Sequence, residues 1–379
     1  NMLDEWLSQR LADRKHKGLL RMLPGENDLV DFTSNDYLGL ARIDELCDRM
    51  RQTLSAGGSK NGSTGSRLLS GNSSQAEQLE EKLAGIFQSP SALIFNSGYS
   101  ANVAVLSSIP QKGDTILYDE LAHASIKDGA RLSLAKKYSF RHNDLEDLDR
   151  KIKKSEGRIF VVVESIYSMD GDECPLAELV NLSTQRGFSI VLDEAHSTGV
   201  RGPRGAGISV EKALHDKIDI RIYTFGKAMG ACGACVAGSH QLRDYLVNFS
   251  RPFIYTTAPS PHTLSVIGCA FDFLAANMGL QQNLERKIAH FLKLGSALPN
   301  RTRSSSAIQT FLIPGNENAR AAAASLQKKG FDVRPILSPT VREGTERLRL
   351  CLHAFNSDSE IASLTEALYA MSSIGHPEQ

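Results

Sequence analysis

The chain has 379 residues, more than a single hydrophobic core organises, and so predicts two domains or subdomains. Its 43 Lys and Arg cancel its 43 Asp and Glu, which removes the electrostatic footprint of a nucleic-acid or anionic-membrane partner. No apolar run approaches the roughly 20 residues of a membrane span, and "NMLDEWLSQRLADRKHK" is charged and amphipathic, without the apolar centre of a secretory signal.

The six cysteines are scattered, which suits a reducing compartment. Cys232 and Cys235 form a C-x-x-C, but no second pair or flanking helix start accompanies it, so both read as small packing residues. A cytoplasmic protein without a structural metal is the expectation.

Residues 1–40 read as an N-terminal arm: a helix, a turn at Pro24-Gly25, then "LVDFTSNDYLGLA". "SAGGSKNGSTGSRLLSGNSS" is too rich in Gly and Ser for a regular element. "SQAEQLEEKLAGIF" has apolar residues at helical spacing, with Ser73 or Ser74 as N-cap. Short strands come next at "SALIFN", "DTILYD", "RIFVVVES", "FSIVLDEA" and "DIRIYTF", with helices including Ala101–Ser108, Asp144–Lys154 and Pro175–Arg186 between them. Apolar β-branched runs alternating with helices predict an α/β domain over 41–260, its mostly parallel sheet covered on both faces. Beyond it a long helical region (Pro261–Leu298) leads to "AIQTFLIPG", a helix (Asn318–Lys329), "FDVRPI", "RLRLCLHAF" and a last helix, a smaller α+β domain over 261–379.

Parallel α/β sheets bind ligands beyond the carboxyl ends of their strands. The successive strand ends deliver Ser97, Gly98 and Tyr99 at a helix start, then His123, Ser168, Asp193 with His196, and Thr224 with Lys227. A helix start offers free N–H groups to an anion. Lys227 stands among Gly226, Ala228, Gly230 and Ala231, and Asp193 precedes it by 34 residues. A lysine for a Schiff base, a carboxylate for a pyridinium nitrogen and an anion cup are the requirements of pyridoxal phosphate. The Gly-rich segments do not end in the G-K-[ST] of a phosphate loop, and no H-E-x-x-H occurs.

"DFTSNDYLGLA", "GSTGSRLLSGN", "ESIYSMDGD", "VLDEAHSTGV", "TFGKAMGACGA" and "GTERLRLCLHA" together resemble, in order and spacing, the α-oxoamine synthases. These are fold-type I pyridoxal-phosphate enzymes that condense an amino acid with an acyl thioester and release carbon dioxide. The resemblance implies that Lys227 bonds the cofactor and serves as acid and base, Asp193 pairs with the ring nitrogen, and His123 stacks on the ring. It implies His196 and Ser168 near the phenolic oxygen, and Ser97, Gly98, Tyr99 and Thr224 at the phosphate. Thr256 and Thr257 match a segment that reaches the other subunit's phosphate, which implies a homodimer with shared sites. Arg349, or Arg347 on the same strand face, would bind the amino-acid carboxylate. Asn35 matches a residue beside the substrate, and Arg21 is a further candidate for the acyl group's carboxylate. "SPTVREGTERLRL" is most similar to members that join L-alanine to a pimeloyl thioester. The chain departs from the pattern in the helix after "LSGN" and at Asn356, where family members carry histidine.

Overall fold

The computed structural model describes residues 1–56 and 60–374. Gly57–Ser59 of the Gly/Ser-rich stretch, and the last five residues of the expected C-terminal domain, lie outside the described residues.

Seven strands, β1 (Ser91–Phe95), β2 (Thr115–Asp119), β3 (Lys136–Phe140), β4 (Ile159–Glu164), β5 (Ser189–Asp193), β6 (Ile220–Thr224) and β7 (Ala234–Gly238), form one sheet in the order β1-β7-β6-β5-β4-β2-β3. All neighbours run parallel except β7, which is antiparallel to β1 and β6. The central strands are buried on both faces because successive apolar residues along them point to opposite sides. Val161 and Val163 pack into one core and Val162 into the other; Ile190 and Leu192 oppose Val191 in the same way.

Five of these strands were expected. β3, "KKYSF", is an exposed edge strand with no apolar signature, and β7, "ACVAG", is built from small residues that read as loop. Small side chains suit β7, which is sandwiched between two strands and buried. Cys235 lies inside it and is buried, while Cys232, expected to pack, is exposed; both are free thiols.

The helical region expected at Pro261–Leu298 is two helices, Pro261–Ala276 and Gly279–Leu294, meeting at 75° across Asn277 and Met278. The Asn277 side chain donates to Phe273 O (2.9 Å), and Gly279 opens the next helix. Among the described residues no single helix is long and apolar enough to cross a membrane. Ser73 is the N-cap of helix Ser74–Ile86, its hydroxyl accepting from Ala76 N–H at 3.2 Å.

A second, antiparallel sheet holds β8 (Ile308–Leu312), β9 (Arg334–Ile336) and β10 (Arg347–Cys351) in the order β9-β10-β8. The N-terminal helix Met2–His16 has no buried residue. The segment after it is stitched to β10 and the turn beyond. Val30–Asp31 pairs with Phe331–Asp332, Cys351 N–H donates to Phe32 O (2.8 Å), and Ala354 N–H donates to Tyr37 O (2.8 Å). Asn356, fully enclosed, donates to Asp31 O and accepts from His353 N–H, so that an amide at position 356 fixes the same turn. This stitching carries Asn35 and Tyr37 onto β10.

Candidate active site

The parallel strands end along one rim, and β4, β5 and β6 set Glu164, Asp193 and Ile222 side by side in register. Beyond β1, Ser97 caps the helix Gly98–Ser108 with a reciprocal box. Ser97 Oγ accepts from Ser100 N–H, and Ser100 Oγ accepts from Ser97 N–H, each at 3.1 Å. Ala101 N–H bonds Ser97 O, so the N–H groups left over in the first turn are those of Gly98 and Tyr99. A Cβ added at Gly98 would collide with Thr224 Oγ1, so glycine alone lets the helix start approach the end of β6. Tyr99 itself points away, half exposed, its hydroxyl on Asp128 at 2.5 Å.

Beyond β6 the chain folds back on itself: Ala231 N–H donates to Phe225 O and Phe225 N–H to Gly233 O, both at 2.9 Å. Gly230, at φ +60°, lies where any side chain would strike Ala41 N. The small residues that single out Lys227 thus close a tight turn against the segment after residue 37, leaving the lysine half-buried on it. Burial lowers the Lys227 ammonium below its ordinary value, with Asp193 and Glu164 pulling the other way.

Asp193 is buried and held on both oxygens: Oδ1 accepts from Ala195 N–H (2.8 Å), Oδ2 from Asn102 Nδ2 (2.7 Å). Its neighbour Glu164 is raised by burial and by repulsion from Asp193; its Oε1 accepts the His123 N–H at 2.5 Å. His123 caps the helix Ala124–Leu132 through Nδ1 and leaves its ring exposed; burial of the attached edge lowers its pKa, Asp193 opposing and Lys227 reinforcing. His196 is buried and driven well below its ordinary value by burial, then by Lys227 and Arg349. Its Nδ1 lies 2.8 Å from the Tyr37 hydroxyl, which donates to Asn35 Oδ1 at 3.1 Å. With that one proton spent, the Nδ1–H of His196 donates to Tyr37.

Arg349 joins this group. Its Nη2 donates to Asn35 Oδ1 (3.0 Å), its Nε to Ser168 O (2.7 Å) and its Nη1 to Cys351 Sγ (3.1 Å). Arg347, on the same face of β10, turns instead to Asp170, Thr345 O and Met169 O. Of the two arginines, Arg349 is the one the fold brings to Asn35. Thr256 and Thr257 sit at the opposite side of the rim, both held by Asn96 Nδ2, at 3.1 and 3.0 Å. Arg21 stands apart: it is exposed and donates to Thr340 Oγ1 at 3.2 Å. Sequence reasoning missed Tyr37, Asn102, Ser125 and Glu164. Tyr37 lies inside "DFTSNDYLGLA", and Asn102 follows Tyr99 in "NSGYSAN", where an uncharged polar residue ahead of the apolar run "VAVL" was the available signal.

A sequence model of the aminotransferase class I and II family matches residues 27–368. The chain belongs to this family. Within it, 8-amino-7-oxononanoate synthase of Emericella nidulans is 40% identical over 95% of this chain and 93% of its own. The same-named protein of Stutzerimonas stutzeri is 36% identical over 96% and 95%. Among solved structures, serine palmitoyltransferase of S. paucimobilis superposes with a TM-score of 0.88 at 26% identity, covering 99% of each chain. 8-Amino-7-oxononanoate synthase of Francisella tularensis gives 0.79 at 27% identity, covering 92% of this chain and 99% of that one. The fold is that of the fold-type I transferases. This member is a pyridoxal-phosphate-dependent acyltransferase of the α-oxoamine synthase type. The residues present fit that cofactor. The glycine at 98 keeps clear the space a Cβ would fill between the helix start and Thr224, and the donor set pairs free N–H groups with a fixed carboxylate and a half-buried lysine.

Proposed function

We propose that this enzyme joins L-alanine to a pimeloyl thioester, giving 8-amino-7-oxononanoate, carbon dioxide and the free thiol, in the cytoplasm and as a step towards biotin. The Arg349 cluster carries the reading. A guanidinium fixed by Asn35 and Ser168 O, next to the Tyr37–His196 pair, is preorganised to take an amino-acid carboxylate. The relatives at 35 to 40% identity favour alanine and pimeloyl within the family.

When bound, pyridoxal phosphate condenses with the substrate amine and accepts the electron pair released at the α-carbon. Lys227, whose ammonium burial lowers below its ordinary value, would hold the cofactor and would then take the proton from the substrate Cα and later return one. Asp193 accepts the ring N–H and keeps that proton in place. His123, whose ring is exposed, would lie against the cofactor ring. Ser97 orients the helix start, Gly98 and Tyr99 give their N–H groups to the phosphate, and Thr224 its hydroxyl. His196 and Ser168 flank the phenolic oxygen. Arg349 would bind and orient the amino-acid carboxylate that is finally lost as carbon dioxide, and Arg347, through Asp170, would support the loop that presents Ser168 O. Arg21 is assigned to the far carboxylate of the acyl chain. Thr256 and Thr257 reach the partner's phosphate in a homodimer.

The test is a product assay by mass spectrometry of the holoenzyme with alanine, glycine or serine, each against pimeloyl, succinyl and palmitoyl thioesters. The aminoketone from alanine and pimeloyl is expected at more than tenfold the rate of any other pair. Faster turnover of serine with palmitoyl thioester would replace this reading with that of the serine palmitoyltransferase neighbours.

A further inference from the structure

Asn102 lies in the helix Gly98–Ser108, fully enclosed behind the rim residue Asp193. Both protons of its amide are committed: Nδ2 donates to Asp193 Oδ2 at 2.7 Å and to Ser125 Oγ at 3.1 Å. The orientation of the amide follows from chemistry, since a carboxylate only accepts and the opposite orientation would set two acceptors against each other. Ser125, also buried, continues the chain. Its Oγ lies 2.8 Å from His123 Nδ1, and its backbone N–H donates to the same nitrogen at 3.2 Å.

Counting protons along this chain gives a definite state. His123 Nδ1 accepts the Ser125 backbone N–H and so carries no proton, which makes its 2.8 Å contact a donation from the Ser125 hydroxyl and leaves Ser125 Oγ to accept from Asn102. A ring nitrogen that receives the Ser125 hydroxyl and the Ser125 N–H holds no proton of its own, so the imidazole proton is on Nε2. The charged groups around the ring are Asp193, Lys227, Lys127 and Asp128, with Glu164 on its backbone N–H. Asn102 keeps this arrangement at a cost. Its Oδ1 is buried without a hydrogen-bond partner among the described residues, a burden that an apolar side chain would not carry.

We propose that Asn102 is a positioning residue that ties Asp193 and His123 into one hydrogen-bonded unit, fixing the orientation of the carboxylate and the tautomer of the imidazole. The inference rests on the roles proposed above for those two side chains at the cofactor. Through it the group beneath the pyridine nitrogen and the group on the ring face are set by a single amide.

The test uses the full chain with ¹⁵N-labelled histidine, freed of cofactor, with His123→Gln assigning the signals. At neutral pH the wild-type His123 shows an unprotonated Nδ1 and a protonated Nε2. In Ser125→Ala only the backbone N–H still holds Nδ1, and in Asn102→Leu the Ser125 hydroxyl is free to turn away, so in both the Nδ1 signal moves part of the way towards that of a mixed tautomer. A second readout is the affinity for pyridoxal phosphate, followed by fluorescence. It falls at least tenfold in Asn102→Leu, which strips a donor from Asp193, and less than threefold in Ser125→Ala, which does not. Unchanged His123 nitrogen shifts in Ser125→Ala, a variant that deletes one hydroxyl and tests the link even if Asn102→Leu fails to fold, overturn the proposal. Moved shifts with unchanged cofactor affinity uphold the link and overturn instead the role assigned to Asp193.

Discussion

Replacing His142 with Gln should remove a contribution to stability that falls away between neutrality and about pH 10. His142 lies just past β3 and places Nδ1 2.9 Å from Asp119 Oδ1 and Nε2 2.7 Å from Asp172 Oδ2. Both nitrogens can donate only when the ring is the imidazolium. Asp119 is fully buried at the end of β2, Tyr167 donates to it at 3.0 Å and meets the imidazole edge-on, and Asn143 bonds Asp172 at 2.8 Å. Burial disfavours the charge on His142, but the two carboxylates outweigh it and lift its pKa from 6.5 to about 10. A pKa raised in the folded state gives stability that is fully present below pH 6.5 and is lost as pH rises through about 10. Within that window the loss is about 1.4 kcal/mol per pH unit, so about 3 kcal/mol between pH 7 and pH 9. At pH 7 the variant itself should be destabilised by roughly 3 to 5 kcal/mol, since it leaves two carboxylates without their cation. Urea unfolding of wild type and His142→Gln at pH 6, 7, 8 and 9 reads the difference, in which all other titrations cancel. A difference constant to within about 0.5 kcal/mol over that range would refute a charged clamp. The clamp has a functional side as well. Asp172 lies in the loop that presents Ser168 O to Arg349 and Asp170 to Arg347, so the variant should also raise the KM for the amino acid.

Two further outcomes are expected at the site. Gly98→Ala drives a Cβ into Thr224 Oγ1, and overpacking of that kind costs roughly 1 to 3 kcal/mol; pyridoxal-phosphate affinity by fluorescence titration should fall at least tenfold, and unchanged affinity would remove the phosphate from this helix start. Arg349→Lys loses a bidentate, charge-assisted contact worth roughly 1.5 to 3 kcal/mol, so the KM for the amino acid should rise by about tenfold or more. Arg347→Lys should act mainly on thermal stability through Asp170. Steady-state kinetics showing the reverse order would exchange the two arginines.

The rim was legible because a parallel sheet gives each strand end a chemical meaning before any side chain is placed. "VVVES", "IVLD" and "IRIYT" announce their strands by β-branched density, and the residues at their carboxyl ends must face a common edge. β7 escaped for the opposite reason. Its Ala, Cys, Val, Ala and Gly carry no strand signature, because a strand wedged between β1 and β6 under two packed layers is selected for small volume, and burial then overrides propensity. The contacts that separate Arg349 from Arg347 were not legible in local sequence. Both share one face of β10, and only the segment Asp31–Tyr37, arriving from more than 300 residues away, puts Asn35 against one and not the other. Asn102 shows the same limit from inside a motif. Its neighbours in "NSGYSAN" gave it away as part of a helix start, but its partners are Asp193, 91 residues on, and Ser125, 23 residues on. A hydrogen-bonded chain is a property of proton counts among groups that only the fold assembles. Local pattern names the polar groups that gather at the rim, and tertiary packing sets the hydrogen bonds in which they meet.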